Sequence, residues 1–300
     1  MIDSAAGMRR VVDQTPHART DAVRELWAPM AGMYHFIPDI DMAGVHAQNF
    51  GFPLDMSPKS EQDVREAITT LDEADAWGRV KGALQEGATV LADADPGVQV
   101  PDVQVLLLVG DPTSQHFMDE LQGLSAFGGL SGYISMTVWP TGQVLDRLEA
   151  IAAHELHHNV RYSPGGVIWN PATVTVGEHV VAEGLADVFA AELYGSRGLT
   201  HFVSEHTRAD DAVLATVVSG LHVTGMADFA AWVLGDASAR LFGGQPVGLP
   251  TGAGYAAGVR IVRAFLDATG TTAAQNVRTP SSDILEVALP ALGLSGARVR

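Results

Sequence analysis

The segment His154-Glu155-Leu156-His157-His158 holds the residue types that metal-assisted hydrolysis needs. On a helix, positions four apart stand one turn apart on one face. His154 and His158 therefore present two imidazoles that can approach one ion at ~2 Å. Glu155 follows the first of them, where its carboxylate can reach a water beside that ion and act as general base. Two imidazoles do not complete such a site, because catalytic zinc takes three protein ligands and keeps a position open. Glu183, 25 residues beyond His158, is the leading third ligand. A helix, a Pro/Gly turn and an antiparallel return would bring it alongside. His179 shares its face and Glu178 adjoins, so both stand as alternatives. Asp187, one turn beyond Glu183, can accept the second ring N–H of a ligating histidine and fix its tautomer. His157 points away from the His154/His158 face and is expected to be packed or exposed.

These side chains need a frame. Val144, Leu145, Leu148, Ile151 and Ala152 supply an apolar stripe ahead of the motif. Thr141 is a good N-cap, and Ser163-Pro164-Gly165-Gly166 a stop, so the spacing predicts a helix over 143–162. A second helix is predicted over 176–194, closed by Gly195. Upstream, the apolar runs 103–109 and 133–139 are too short for helices and read as buried strands. The glycine-rich stretch 128–132 between them reads as a flexible turn. Helices are predicted over 21–33, with Pro29 able to end it early, and over 61–71 and 74–91, with a break near Trp77-Gly78. Further helices are expected over 209–223, 226–234, 255–269 and 282–289. The order is a helical lead, short strands, then helices, which is an α+β pattern: a mostly helical fold with a small sheet before the motif helix. Asp93-Ala94-Asp95-Pro96-Gly97 is a turn signal. It divides a helical N-terminal lobe, residues 1–95, from a domain over 96–300.

Composition limits the partners. There are 18 basic residues against 35 acidic ones, a formal net charge of −17. That balance excludes nucleic acid and anionic membrane surfaces as expected partners, since both need a basic face. The absence of cysteine removes disulfides, cysteine-held metal and thiol nucleophiles. The start of the chain lacks a signal-peptide pattern, and no run approaches the ~18 apolar residues of a membrane span. A cytoplasmic protein is expected.

Three stretches taken together resemble a known family. "AAHELHHNVRY" over 152–162, "VAEGLADVFAAELYG" over 181–195 and "GYAAGVRIVRAFL" over 254–266 are similar to the YjaZ-like family of predicted zinc-dependent proteases. The resemblance spans about residues 100–270. It implies a gluzincin-like metallopeptidase, with one zinc per chain on His154, His158 and Glu183 and with Glu155 as base. The spacing of Glu183 and Asp187 matches the ExxxD pair of gluzincins. The continuation of metzincins is absent, because Arg161 and Pro164 stand where Gly and His would be required.

Peptide hydrolysis also needs a donor for the tetrahedral oxyanion. The candidates are Tyr255, His222, Tyr162 and Arg260. Tyr255 leads, because Gly254 and Gly258 around it allow close backbone approach. His201 and His206 lie five apart, a poor helical pairing, and read as surface. The strand over 133–139 is a candidate partner for an extended peptide through Ser131 to Ser135. The expected function is zinc-dependent hydrolysis of a peptide or protein substrate. The alternatives are a regulatory or chaperone-like protein with a structural or vestigial zinc site, and a non-peptide zinc hydrolase.

Overall fold

The computed structural model describes residues 1–294. Five helices precede the sheet: α1 (Ser4–Asp13), α2 (Pro16–Trp27), α3 (Met42–Gln48), α4 (Pro58–Glu73) and α5 (Ala76–Ala94). Asp3, Asp41 and Ser57 accept backbone N–H groups at the starts of α1, α3 and α4, which satisfies donors the helix leaves unpaired. The helix expected over 21–33 ends at Trp27 and passes into a 3-10 segment, Ala28–Tyr34, that carries Pro29. The break between α4 and α5 falls at Asp75, where φ is 49°. Trp77 and Gly78 lie inside α5 rather than at a break.

The sheet has three strands, β1 (Gln104–Val109), β2 (Leu124–Leu130) and β3 (Tyr133–Val138), in the order β1-β3-β2. β1 runs parallel to β3, with Leu107 opposite Met136. β2 runs antiparallel to β3, with Phe127 opposite Ser135 and an irregularity before Leu130. The stretch expected to be a turn is therefore largely strand. Glycines weaken a strand locally, but a hairpin partner supplies the ladder. β3 is the central strand, flanked on both sides. The peptide-pairing role expected of residues 133–139 is corrected by this, because β3 has no open edge. β1 and β2 are the two edge strands, and on β2 the Gly128 and Leu130 carbonyls already accept from Asn159 of α7, which leaves the stretch before Gly128 as the part of that edge open to a further strand.

After the sheet come α6 (Gly142–Leu145), α7 (Leu148–Arg161), α8 (Val176–Tyr194), α9 (Glu205–Ala209), α10 (Asp211–Ser219), α11 (Asp236–Leu241), α12 (Ala253–Thr269) and α13 (Ser281–Ala291). The helix expected over 143–162 is two helices, broken at Asp146-Arg147. The break frees the Leu145 carbonyl. Arg79 of α5 donates to it at 2.7 Å and grips Glu149 at 2.6 and 2.7 Å. The helix expected over 209–223 splits at Asp210, whose carboxylate accepts from Ala212 N–H at 2.7 Å and caps α10. The segment expected as a helix over 226–234 holds only a π-type turn, Ala230–Leu234.

α7 is buried on nearly all sides because it separates two apolar cores. Leu148, Ile151 and Ala152 join a core of Met8, Trp27, Ile68 and Leu107 that ties the leading helices to the sheet. Ala153, Leu156 and Val160 join a second core with Val180, Phe189, Ile261 and Leu285. Residues on both sides of position 95 thus share one core. Among the described residues, no helix is long and apolar enough to cross a membrane.

α8 and α12 touch backbone to backbone. A Cβ on Gly258 would stand 2.2 Å from the Val180 carbonyl oxygen, and one on Gly184 would stand 2.3 Å from Gly258 itself. Gly258→Ala must therefore push the two helices apart. Urea unfolding should show a loss of about 1–3 kcal/mol, the usual range for overpacking, against a gain of about 0.5–1 kcal/mol for Gly82→Ala, which lies inside α5 with open space around it.

Candidate metal centre

α7 and α8 carry the site between them. His154 Nε2, His158 Nε2 and Glu183 Oε2 form a triangle with sides of 3.0, 3.1 and 3.1 Å. All three residues are largely buried. Among the described residues, they are the His/Asp/Glu group whose donor atoms converge closely enough to hold a metal ion. Asp187 Oδ1 lies 3.1 Å from His154 Nδ1. If Nδ1 donates there, His154 turns its Nε2 lone pair toward the other two atoms. Lone pairs converging on one point repel unless a cation sits between them. A tetrahedral zinc with bonds of ~2.0–2.1 Å spaces its ligands by roughly 3.3 Å, so this donor set fits zinc.

The surrounding electrostatics favour a positive charge at that point. Burial works against a protonated His154, but Asp187, Glu183 and Glu155 prevail and raise its pKa well above the ordinary value. Burial also works against an ionised Glu183, yet the two histidines hold its carboxyl below the usual range. Burial pushes the Glu155 carboxyl up, opposed by the same histidines and by the Gly128 N–H.

Asp187 is completely buried. Besides His154 it accepts from Thr200 Oγ1 at 2.7 Å and from Thr200 N–H at 3.2 Å. The loop after α8 thereby aims the carboxylate that aims the imidazole.

The alternative third ligands are engaged or remote. Glu178 takes both Arg161 nitrogens, at 2.7 and 2.8 Å, and accepts from the Tyr162 hydroxyl at 3.0 Å. Burial works to raise its carboxyl, but Arg161 prevails and holds it below the ordinary value. Arg161 also donates to the Val277 and Thr279 carbonyls at 3.1 and 3.0 Å, pinning the chain before α13. His179 lies outside the triangle, edge-on to Phe229 at 4.6 Å. Its Nε2 is buried without a partner among the described residues. His157 is fully buried against Phe189, on the face of α7 away from the site.

A cleft of about 540 Å³ opens over the triangle. All of β2 lines it, as do His154, Glu155, His158, Glu183 and Tyr255. Tyr255 of α12 stacks on His154, with centroids 6.2 Å apart. Burial, followed by the nearby carboxylates, raises its pKa well above the ordinary value, so the phenol stays a donor. The other oxyanion candidates are placed differently. The Tyr162 hydroxyl is spent on Glu178. Arg260 pairs with Asp211 at 2.6 Å and lies outside the cleft lining, and His222 is exposed and also outside it. His201, expected at the surface, lines the cleft, while His206 is exposed.

Two residues that sequence reasoning passed over hold β2 in place. A Cβ at Gly128 would lie 2.2 Å from the Glu155 carbonyl, so only glycine lets β2 rest on α7 there. Asn159, directly after His158, donates to the Gly128, Leu130 and Tyr133 carbonyls at 2.8–3.0 Å and accepts from Gly132 N–H at 2.9 Å. The available signal was an asparagine inside a predicted helix, where its side chain normally competes with the backbone.

The family model described as Predicted Zn-dependent protease (DUF2268) matches residues 86–286. The chain belongs to this family. The match runs from α5 into α13 and takes in the whole site. The uncharacterized protein YjfC of Bacillus subtilis (strain 168) is 29% identical over 222 residues, 74% of this chain and 73% of that one. No solved structure matches the chain. The family resemblance read from the three motifs therefore holds.

Two variants test the arrangement. Asp187→Asn should weaken zinc binding by roughly 10–100-fold, measured by competition with a chelating dye. Unchanged affinity would show that the His154 contact does nothing for the ligand. Arg161→Met strands a buried carboxylate and should cost about 3–5 kcal/mol in urea unfolding. The stability that the Arg161–Glu178 pair gives is full above the ordinary carboxyl range. It is lost as pH falls through the depressed folded value, so the gap between wild type and Arg161→Met should narrow in acid.

Proposed function

We propose that this chain is a zinc-dependent peptidase of gluzincin type. The observation that carries the reading is the His154–His158–Glu183 triangle with Glu155 beside it, set in a cleft walled by a strand with a free edge. When bound, zinc supplies Lewis acidity, lowering the pKa of a water and polarising a carbonyl. The protein's own groups do the remainder. His154, His158 and Glu183 hold the ion, and Asp187 keeps His154 in the ligating tautomer. Glu155 takes the proton of the attacking water and passes it to the leaving amine. Its raised pKa brings it closer to the working pH of a general base.

Two donors face the place where the carbonyl oxygen gains charge. Tyr255 offers a phenol held in its neutral form. His179 offers a ring nitrogen that has no partner among the described residues, one turn before Glu183. β2 supplies the orientation. Its free edge lets an extended peptide add as a further strand, hydrogen-bonded main chain to main chain. A purely structural zinc site has no use for Glu155, which argues against the regulatory alternative.

The test compares wild type with Glu155→Gln, which keeps the size of the side chain and is not among the ligands. Elemental analysis should find zinc retained in both. Turnover of a peptide library, followed by mass spectrometry, should fall by roughly 10²–10⁴-fold in the variant. Undiminished turnover removes Glu155 as the base. No cleavage by zinc-replete wild type refutes the peptidase reading.

A further inference from the structure

The protein is strongly acidic, and most of its arginines are paired. Arg9, Arg19, Arg24, Arg65, Arg79 and Arg161, for example, all sit within 3.1 Å of a carboxylate. Arg147 and Arg197 have no such partner within salt-bridge distance among the described residues, and both line the cleft. Among the described residues, the carboxylates that line it are Glu155 and Glu183, at the candidate metal centre. Arg147 and Arg197 are thus the cationic side chains of the cleft lining, in a chain with a net charge of −17.

Arg147 stands at the N-cap of α7, seven positions before His154. Seven residues turn a helix through nearly two full turns, so Arg147 and His154 share a face. Ile151 lies between them and lines the same wall. Among the described residues, the Arg147 guanidinium makes a single hydrogen bond, Nη1 to the Gln143 carbonyl at 3.1 Å. Its Nε is buried and unpartnered. His201, whose Nε2 lies 3.2 Å from the Gln122 carbonyl, has an Nδ1 that is also unpartnered. Both Arg147 and His201 line the cleft.

The direction of β2 fixes which end of a peptide meets this cluster. Gly128 rests on Glu155 and Leu130 is tied to Asn159, so β2 and α7 run the same way. The start of β2, just after Gln122, therefore lies toward Arg147. A peptide added antiparallel to β2, the more favourable pairing, points its C-terminus there. The rise from Arg147 to His154 is ~10 Å, which an extended chain covers in about three residues.

We propose that Arg147, assisted by Arg197, binds the free C-terminal carboxylate of the substrate, so that the enzyme releases peptides of two or three residues from C-termini. The apolar wall of Leu121, Leu124, Ile151 and Leu199 between the arginine and the metal suits apolar side chains in the released piece. This inference rests on the peptidase reading, and its test separates the two.

An apolar peptide is made with a free C-terminal acid and as the C-terminal amide. With wild type, amidation should lower kcat/KM by roughly 10–100-fold, as loss of a charge-assisted hydrogen bond does. Mass spectrometry of the acid should show di- or tripeptide release. In Arg147→Gln and Arg197→Gln the preference for acid over amide should shrink. A second readout needs no turnover. Zinc-loaded Glu155→Gln should bind the acid more tightly than the amide by calorimetry, and Arg147→Gln added to it should erase that gap. Equal cleavage of acid and amide at internal bonds overturns this proposal and leaves the peptidase reading standing. Tighter binding of the acid without cleavage by wild type keeps the carboxylate site and refutes the peptidase. Equal binding of the two peptides, or binding of neither, overturns the carboxylate site. If either arginine variant fails to fold, the acid–amide comparison in wild type still decides.

Discussion

Main chain rests directly on main chain around α7 and α8, and the rest of the molecule is arranged about those contacts. Gly184 meets Gly258 where α8 crosses α12, and Gly128 meets the Glu155 carbonyl where β2 lies on α7. Each contact closes a gap that any side chain would hold open by roughly a Cβ's width. The first brings Tyr255 of α12 over the helix that carries Glu183. The second brings the free-edged strand against the helix that carries His154 and His158. Site geometry in this protein is thus a packing result. Interiors are close-packed and resist small displacements, so the ligands hold their spacing because the backbones cannot move apart or together.

Charge is handled differently in two neighbouring places. At the end of α7, Arg161 and Glu178 are both buried and neutralise each other, with Tyr162 and two backbone carbonyls using the remaining hydrogen-bonding capacity. One turn of α7 away, His154, His158 and Glu183 bring three donor atoms together, beside the carboxylates of Asp187 and Glu155. The first arrangement fastens α7, α8 and the segment before α13. The second leaves a point of negative potential, walled by apolar residues, where a divalent ion is the natural complement. Burying ionisable groups costs free energy unless they are paired, and these three residues could take a metal ion as that partner.

The cleft follows from the same construction. β2 forms one wall because Asn159 ties the tip of the β2–β3 hairpin to the turn of α7 that carries His158. The loop after α8 forms another, held by Thr200 on Asp187. That loop therefore has two attachments to the chemistry: it aims His154 through Asp187, and it places Leu199 and His201 along the cleft. A movement of this loop would reach both the metal ligand and the substrate wall.

The candidate metal centre was legible in the sequence because it is local. The spacing of His154 and His158 on one helix, and of Glu183 and Asp187 on the next, follows from 3.6 residues per turn and needs no tertiary information. The apolar runs of β1 and β3 and most of the helices were legible for the same reason. What tertiary structure alone decided is non-local. β2 is a strand against the preference of its own glycines, because β3 offers a ladder and α7 requires a bare Cα at Gly128. β3 lies at the centre rather than the edge, an order set by pairing rather than by composition. Glu178 is spent on Arg161, a pairing across 17 positions that no local spacing foretells. His201 and Arg147 line the same cleft although 54 positions separate them. Helical periodicity is written into each segment, whereas the identity of a side chain's neighbour across the fold depends on every element that packs between.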